Sequence, residues 1–412
     1  MNRVVITGIG VVTPVGTGKD AFWQAIQDGK CGIDAITAFD TSDFKVKIAA
    51  EVKDFNPETY MGKKDARRMD RFCQFAMAAA KLCLEDSSID LDTVDKESFG
   101  VIVSSGVGGF DTMEKQAVRL HESGPSRVAP LMVPMIISNM ASGQISIAYG
   151  LKGACSNVVT ACSSGTNSIG EAYRLIKHGY EQKMLAGGAE AAITPLAVAG
   201  FTNLTALTTT SDPKHASIPF DENRSGFVMG EGAGVLLLEE YEAAKARGAH
   251  IYAEIVGYGF TGDAYHMTAP APDGEGPARA MSKAIKEAGV TPKAVDYINA
   301  HGTSTPANEK MESTAIHAVF DEENFGVAVS STKSMTGHLL GAAGAIEAAI
   351  CALSVQDDFI PATIHIEHLD PACGLNIITG EGVTGRKVNY AMSNSFGFGG
   401  HNGVLLLKKA GV

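Results

Sequence analysis

Apolar and polar positions fall into two successive series of similar elements. The first series opens with an apolar, β-branched run over 4–12, which predicts a strand. Apolar residues at helical spacing over 19–28 and over the Ala-rich stretch 72–86 predict helices. Residues 100–104 read as a short strand ending in the Gly-rich turn 106–109. Another strand, 156–160, runs into 161–165 and a helix to about His178, and 183–187 and 234–239 are further strands.

The second series repeats the order. A strand over 251–258 precedes a helix over 276–289 that its glycine stops. A strand over 295–299, a helix over 309–320, a strand over 327–330 and an Ala-rich helix over 341–356 follow. Residues 389–392 and 403–408 form a closing hairpin across 396–401. Alternating strands and helices predict parallel sheets covered by helices on both faces. The shared order predicts an internal duplication, with one half over 1–250 and the other over 251–412.

Composition narrows the class. Of 412 residues, 45% are hydrophobic and 19% charged, which excludes disorder over most of the length. A net charge of −12 argues against a nucleic-acid binder. The seven cysteines are odd in number and form no C-x-x-C pair, so neither a disulfide framework nor a zinc site is expected, and a reducing cytoplasm suits them. Residues 1–18 read as a strand and turn, not a signal peptide. No membrane association is expected: no apolar run reaches the ~18 residues of a membrane span, and the stretch 342–355 is too short and carries Glu347.

Four segments could carry chemistry. Cys162 lies where a strand gives way to a helix, in Thr160-Ala161-Cys162-Ser163-Ser164-Gly165. Free helix N–H groups there favour a thiolate and could hold an oxyanion, although a buried small hydrophobe is the other reading of such a cysteine. His301 and His338 each follow an apolar strand, where open α/β sheets place their sites. Each alone could be a structural histidine; two at similar positions suggest more. Lys333 shares the loop of His338, and a positive charge there would keep both imidazoles neutral. The loop 394–402 places Phe396 and Phe398 between glycines, either an ordinary hairpin turn or a mobile gate over a pocket.

Together these segments resemble the β-ketoacyl-acyl-carrier-protein synthases of the thiolase superfamily, from Val4-Val5-Ile6-Thr7-Gly8 to Phe396-Gly397-Phe398-Gly399-Gly400. The run 330–345 looks most like the elongating condensing enzymes of type II fatty-acid synthesis. The resemblance implies a thiolase-like, duplicated five-layer αβαβα sandwich, a homodimer, and an acyltransferase acting on acyl- and malonyl-loaded acyl carrier protein. It implies that Cys162 carries the acyl chain and that His301 and His338 stabilise the enolate left by decarboxylation. Lys333 would tune the charge, and Phe398 would act as gate and oxyanion donor. No cofactor is needed for this chemistry.

Further residues carry over by position. Thr303 and Thr305 match the residues that bind the pantetheine arm. Val107, Met132, Val133 and Phe201 match the acyl-pocket lining, with Met132 and Val133 reaching across the dimer. Asn299, Ala300, Glu347, Ser393 and Asn394 match a structural Na⁺ or K⁺ site. The basic cluster Lys63, Lys64, Arg67 and Arg68 suits docking of an acidic carrier protein, or is simply a solvated face. The chain departs from the family pattern at His401, Glu309, Ser225 and Thr205. A thiolase, a cysteine hydrolase and a chain-length-factor subunit fit these residues less well. A ketosynthase subunit of a polyketide-type pathway shares the motifs and stays open.

Overall fold

The computed structural model describes residues 1–320 and 326–411. Ten strands form the continuous path of its eleven-stranded main sheet, and the short strand Gly16–Thr17 pairs with the first of them off that path. The first five are β1 (Val4–Thr13), β2 (Phe99–Ser104), β3 (Cys155–Ser156), β4 (Lys183–Glu190) and β5 (Gly232–Glu240). The second five are β6 (Ala253–Gly262), β7 (Tyr297–Asn299), β8 (Ala328–Ser330), β9 (Tyr390–Gly397) and β10 (His401–Lys409). Their spatial order is β8-β7-β9-β10-β6-β1-β5-β4-β2-β3. Read outward from the centre, each set runs first, last, fourth, second, third. The two sets meet where β1 and β6 pair antiparallel over Val4↔Ile255, Val5↔Glu254 and Ile6↔Ala253.

The sheet is mixed: beside the expected parallel strands and closing hairpin, further antiparallel pairs occur at its centre. The strands β3, β2 and β4 are parallel, as are β8, β7 and β9. The last strand of each set, β5 or β10, is antiparallel to both neighbours. The cause is plain in the second set: the short turn between β9 and β10 can join only antiparallel strands.

Seven helices matter to the site: α1 (Arg71–Ser87), α2 (Phe110–Ser123), α3 (Met140–Tyr149), α4 (Ser164–Lys177), α5 (Glu275–Ala288), α6 (Pro306–Val319) and α7 (Ala343–Asp357). Helix α1 covers β1, β4 and β5 on one outer face, with α3 on β2. Helices α4 and α7 pack on each other between the two strand sets, and α5, with α6 against it, covers β6 and β10 on the far side. This is the five-layer αβαβα arrangement of the thiolase-like fold. The outer helices sit very close to the sheet because each central strand offers glycine at the contact. A Cβ on Gly10 would lie 1.9 Å from the Ala79 carbonyl, and one on Gly259 would lie 1.8 Å from that of Ala280.

Two sequence expectations need correction here. The strand expected over 156–160 is only Cys155–Ser156, because the segment after it bonds to side chains instead of a neighbouring strand. The Val158 N–H donates to Ser104 Oγ (2.7 Å) and the Thr160 N–H to Ser164 Oγ (2.9 Å). The apolar stretch around Glu347 is also longer than expected. With a preceding 3₁₀ turn it runs over Leu340–Asp357, 18 residues, but 89% of it is buried inside the protein, as a core helix would be.

Candidate active site

The segment 160–164 places the nucleophile candidate. A 3₁₀ turn over Ala161–Ser163 feeds into α4, and Ala161 has φ 51°, a strained left-handed conformation for a residue with a Cβ. The turn is held from several sides. Asn167 Nδ2 donates to Thr160 Oγ1 (2.7 Å), and Tyr258 O–H donates to Asn167 Oδ1 (3.0 Å). Ser163 Oγ lies 3.0 Å from the Ser395 carbonyl and 2.7 Å from that of His401, tying the turn to the base of the β9–β10 hairpin.

That hairpin presses on the nucleophile. A Cβ on Gly397 would lie 2.5 Å from the Thr160 carbonyl and 3.1 Å from the Cys162 nitrogen. Glycine is needed there for close approach.

Cys162, His301, His338, Phe398, Thr303, Thr305 and Phe201 all line one cavity of about 410 Å³. The His301 and His338 rings meet edge to face at 5.3 Å between centroids. Phe396 packs against His301 (5.6 Å) and Phe227 against His338 (5.2 Å). Phe201 touches both Phe227 (5.7 Å) and Phe398 (6.4 Å), so an aromatic row joins the hairpin tip to the second imidazole. Thr303 Oγ1 and Thr305 Oγ1 lie 2.9 Å apart on the cavity wall.

The electrostatics separate the thiol from the imidazoles. Burial pushes the Cys162 thiol up to about 12; the Lys333 charge lowers it and Glu190 raises it further. The backbone N–H groups of Phe398 and of Cys162 itself also reach the sulfur and favour its anion. Desolvation opposes the anion that the Lys333 charge and the N–H groups favour. Both histidines are held well below their ordinary value, by burial first and the Lys333 charge second. They are neutral N–H donors at physiological pH.

Lys333 itself is 1% exposed, and its Nζ pairs with Glu347 Oε1. Glu347 Oε2, Asn299 Oδ1, Ser393 Oγ and Asn394 Oδ1 are buried and have no hydrogen-bond partner among the described residues. Asn299 and Ser393 are register partners on β7 and β9. Four orphaned oxygens, one carboxylate among them, fit an alkali-metal cation. Ala300 is fully buried beside Asn299.

The structure does not bring every expected residue to the cavity. Val107, Met132 and Val133 are absent from its walls, and Val107 and Val133 are 40% and 60% exposed. The cavity ends short of them. Lys63, Lys64, Arg67 and Arg68 are exposed on and after a short helix, Lys63–Ala66. Among the departures, Glu309 pairs with Arg224 (3.2 Å) and Ser225 Oγ shares a hydrogen bond with Thr208 Oγ1 (2.9 Å). Thr205 lines the cavity, and the His401 ring lies against Gly399.

Sequence reasoning missed Glu312. Its carboxylate accepts the His301 and Gly302 N–H groups, each at 2.8 Å, and so fixes the loop that presents the first imidazole. The available signal was an acidic residue two turns into the helix that follows that loop.

Two family models match the chain: "Beta-ketoacyl synthase, N-terminal domain" over residues 1–244 and "Beta-ketoacyl synthase, C-terminal domain" over 252–367. The chain belongs to the β-ketoacyl synthase family. It is 52% identical over 407 residues to 3-oxoacyl-[acyl-carrier-protein] synthase 2 of Staphylococcus aureus strain COL, covering 99% of this chain and 98% of that one. It is 49% identical over 408 residues to the protein of the same name from Synechocystis sp., again covering 99% and 98%. A β-ketoacyl synthase from Burkholderia phymatum superposes with a TM-score of 0.92 at 36% identity, over the full length of both chains. A type II polyketide ketosynthase, solved with its acyl-carrier protein, also gives 0.92, at 34% identity over 99% of both.

Proposed function

We infer that the protein is a 3-oxoacyl-acyl-carrier-protein synthase that elongates fatty acids by decarboxylative Claisen condensation. One observation carries this reading: a thiol under two backbone N–H groups shares a single cavity with two imidazoles held neutral. Identity of 52% to a fatty-acid synthase of this kind, against 34% to the polyketide enzyme, favours primary lipid elongation.

In the first half-reaction the Cys162 sulfur attacks the acyl thioester carbonyl. The new S–C bond forms, the oxyanion is held by the N–H groups of Cys162 and Phe398, and the carrier thiol leaves with the proton. In the second, the malonyl C–C bond to the carboxylate breaks and carbon dioxide departs. The electron pair moves onto the thioester oxygen, where neutral His301 and His338 donate hydrogen bonds. The resulting carbanion attacks the acyl carbonyl, a C–C bond forms, the C–S bond breaks, and Cys162 is released beside a 3-oxoacyl product. Thr303 and Thr305 serve the pantetheine arm at the cavity wall.

Substrates arrive on acyl carrier protein, with the basic face of Lys63, Lys64, Arg67 and Arg68 as its dock. A homodimer completes the acyl pocket. Exposed apolar side chains, among them Met113, Leu131, Val133, Ile137 and Ile147, gather beside the edge strand β3, which leaves backbone groups unpaired. A second copy seated there would carry Met132 and Val133 toward Val107. Asn299, Ala300, Glu347, Ser393 and Asn394 hold a Na⁺ or K⁺ ion; such an ion supplies fixed positive charge beside the Lys333–Glu347 pair. Seven free cysteines support a cytoplasmic location.

The test is condensation by purified protein with acyl- and malonyl-carrier protein of graded chain length. Carbon dioxide release with 3-oxoacyl product, abolished in Cys162→Ser, is expected. A Cys162→Gln variant should still release carbon dioxide from malonyl-carrier protein. Absence of any condensation by the wild type would refute the reading.

A further inference from the structure

Glu190, the last residue of β4, is fully buried and has no role in the chemistry above. Its Oε1 accepts from Ser105 Oγ (2.6 Å) and the Val107 N–H (3.4 Å). Its Oε2 accepts from the Gly106 and Gly341 N–H groups, each at 2.9 Å. Among the described residues no lysine or arginine is ion-paired with it. It is a buried carboxylate held by N–H and O–H donors alone, a costly arrangement unless it does something specific.

The donors come from two turns that touch each other beside the nucleophile: a Cβ on Gly341 would lie 2.4 Å from the Gly106 nitrogen. In the first turn, a Cβ on Gly106 would sit 3.5 Å from the Ala161 carbonyl. In the second, the Gly341 carbonyl abuts the first turn of α4, 3.0 Å from where a Cβ on Gly165 would stand. That second turn also carries Leu340, a cavity-lining residue held at φ 48°. Left-handed backbone at a leucine persists only where its surroundings enforce it.

We propose that Glu190 is a positioning residue for the acylation half-reaction, its buried carboxylate locking the 105–107 turn and the Leu340–Gly341 turn together around Cys162. The proposal rests on the condensing reaction inferred above and adds to it a residue that serves one half of that reaction. His338 has its own anchor: its N–H donates to the Val228 carbonyl and its carbonyl accepts from Gly230, each at 2.8 Å. The imidazole pair therefore stays in place when the Glu190 clamp is loosened. The charges that reach the Cys162 thiol are Lys333, which favours the anion, and Glu190, which opposes it; His301 and His338 beside it are neutral.

The test compares Glu190→Gln, Glu190→Asp and Ser105→Ala. A glutamine has one oxygen for four donors, so the donors at one of the two oxygen positions lose their acceptor and the clamp is loosened. Acyl transfer to Cys162, followed with acyl-carrier protein, is expected to lose at least thirtyfold in kcat/KM in Glu190→Gln. The loss should be about threefold to tenfold in Ser105→Ala, which keeps the carboxylate and removes one of its donors together with the acceptor of the Gly108 N–H. Carbon dioxide release from malonyl-carrier protein, measured in the Cys162→Gln background, should change less than threefold. Iodoacetamide should alkylate Cys162 of Glu190→Gln at lower pH than the wild type, whereas Glu190→Asp, which keeps the charge, should leave that profile in place. Parallel loss of acylation and decarboxylation, or an unmoved alkylation profile in Glu190→Gln, overturns the proposal. A wild type that neither acylates nor condenses would instead refute the proposed function, because the alkylation comparison does not need substrate.

Discussion

The His301 and His338 rings stand nearly perpendicular, 86° apart, in a pocket where burial and the Lys333 charge both oppose protonation. Two uncharged donors converge on one cavity without repelling each other. Decarboxylation should therefore show no acid limb near the ordinary histidine value of ~6.5. Carbon dioxide release by the Cys162→Gln variant is expected to stay level between about pH 8 and pH 6. The same shift has a stability consequence. Below ~6.5 the unfolded chain takes up protons at these two positions and the native chain does not, so thermal stability should fall as pH drops through that value. A titration of melting temperature against pH, compared with a His301→Gln variant, measures it.

Lys333 supports both neighbours at once. In Lys333→Met, Glu347 loses its partner while buried, a cost of about 3–5 kcal/mol. Removing the charge also lets the histidine values rise part of the way, with burial, the larger cause, still holding them down. The expected result is a lower melting temperature together with a new acid limb in decarboxylation, read from the pH–rate profile of Lys333→Met in the Cys162→Gln background.

Gly397 is the contact point between the hairpin and the nucleophile. Its alanine variant would put a methyl 2.5 Å from the Thr160 carbonyl, so the hairpin must retreat and take the Phe398 N–H with it. A displacement near 1 Å is enough to cost about a hundredfold. Gly397→Ala should lose that much kcat/KM in acyl transfer while circular dichroism stays native.

The basic face can be tested by charge. Reversal at Lys64, Arg67 and Arg68 should raise KM for acyl-carrier protein at least tenfold at low salt and leave kcat nearly unchanged. The difference should shrink as salt is added, because exposed charges are screened. An unchanged KM at low salt would remove these residues from the dock.

The segments that carry chemistry were legible because their residue types are unusual for their places. A cysteine between small polar residues, two histidines after apolar strands and a lysine in a buried-looking loop all stood out, and the structure gathers the first three around one cavity with the lysine close by. The element order was legible for the same reason the core is: period and burial agree in β1, α1, α5 and the β9–β10 hairpin. Strand direction was not, because an apolar run reads alike in either sense. Helix α2 was missed although Phe110, Met113, Ala117 and Leu120 recur at helical spacing; that stripe stays largely uncovered, and Thr112 is its only buried residue. Glu190 and Glu312 escaped because a buried carboxylate looks like any surface acid until its backbone donors are known.

The two strand sets follow one path, so each corner of one has a counterpart in the other. The turn after β3 bears the sulfur, and the turn after its counterpart β8 bears Lys333 and His338. The end of β4 bears Glu190, and the end of its counterpart β9 leads to Phe398. Equivalent corners are thus put to opposite uses: an electron-rich group in one half, an electron-poor one in the other. The chemistry depends on that divergence, so restoring symmetry at any of these paired corners would erase one partner of a donor–acceptor couple.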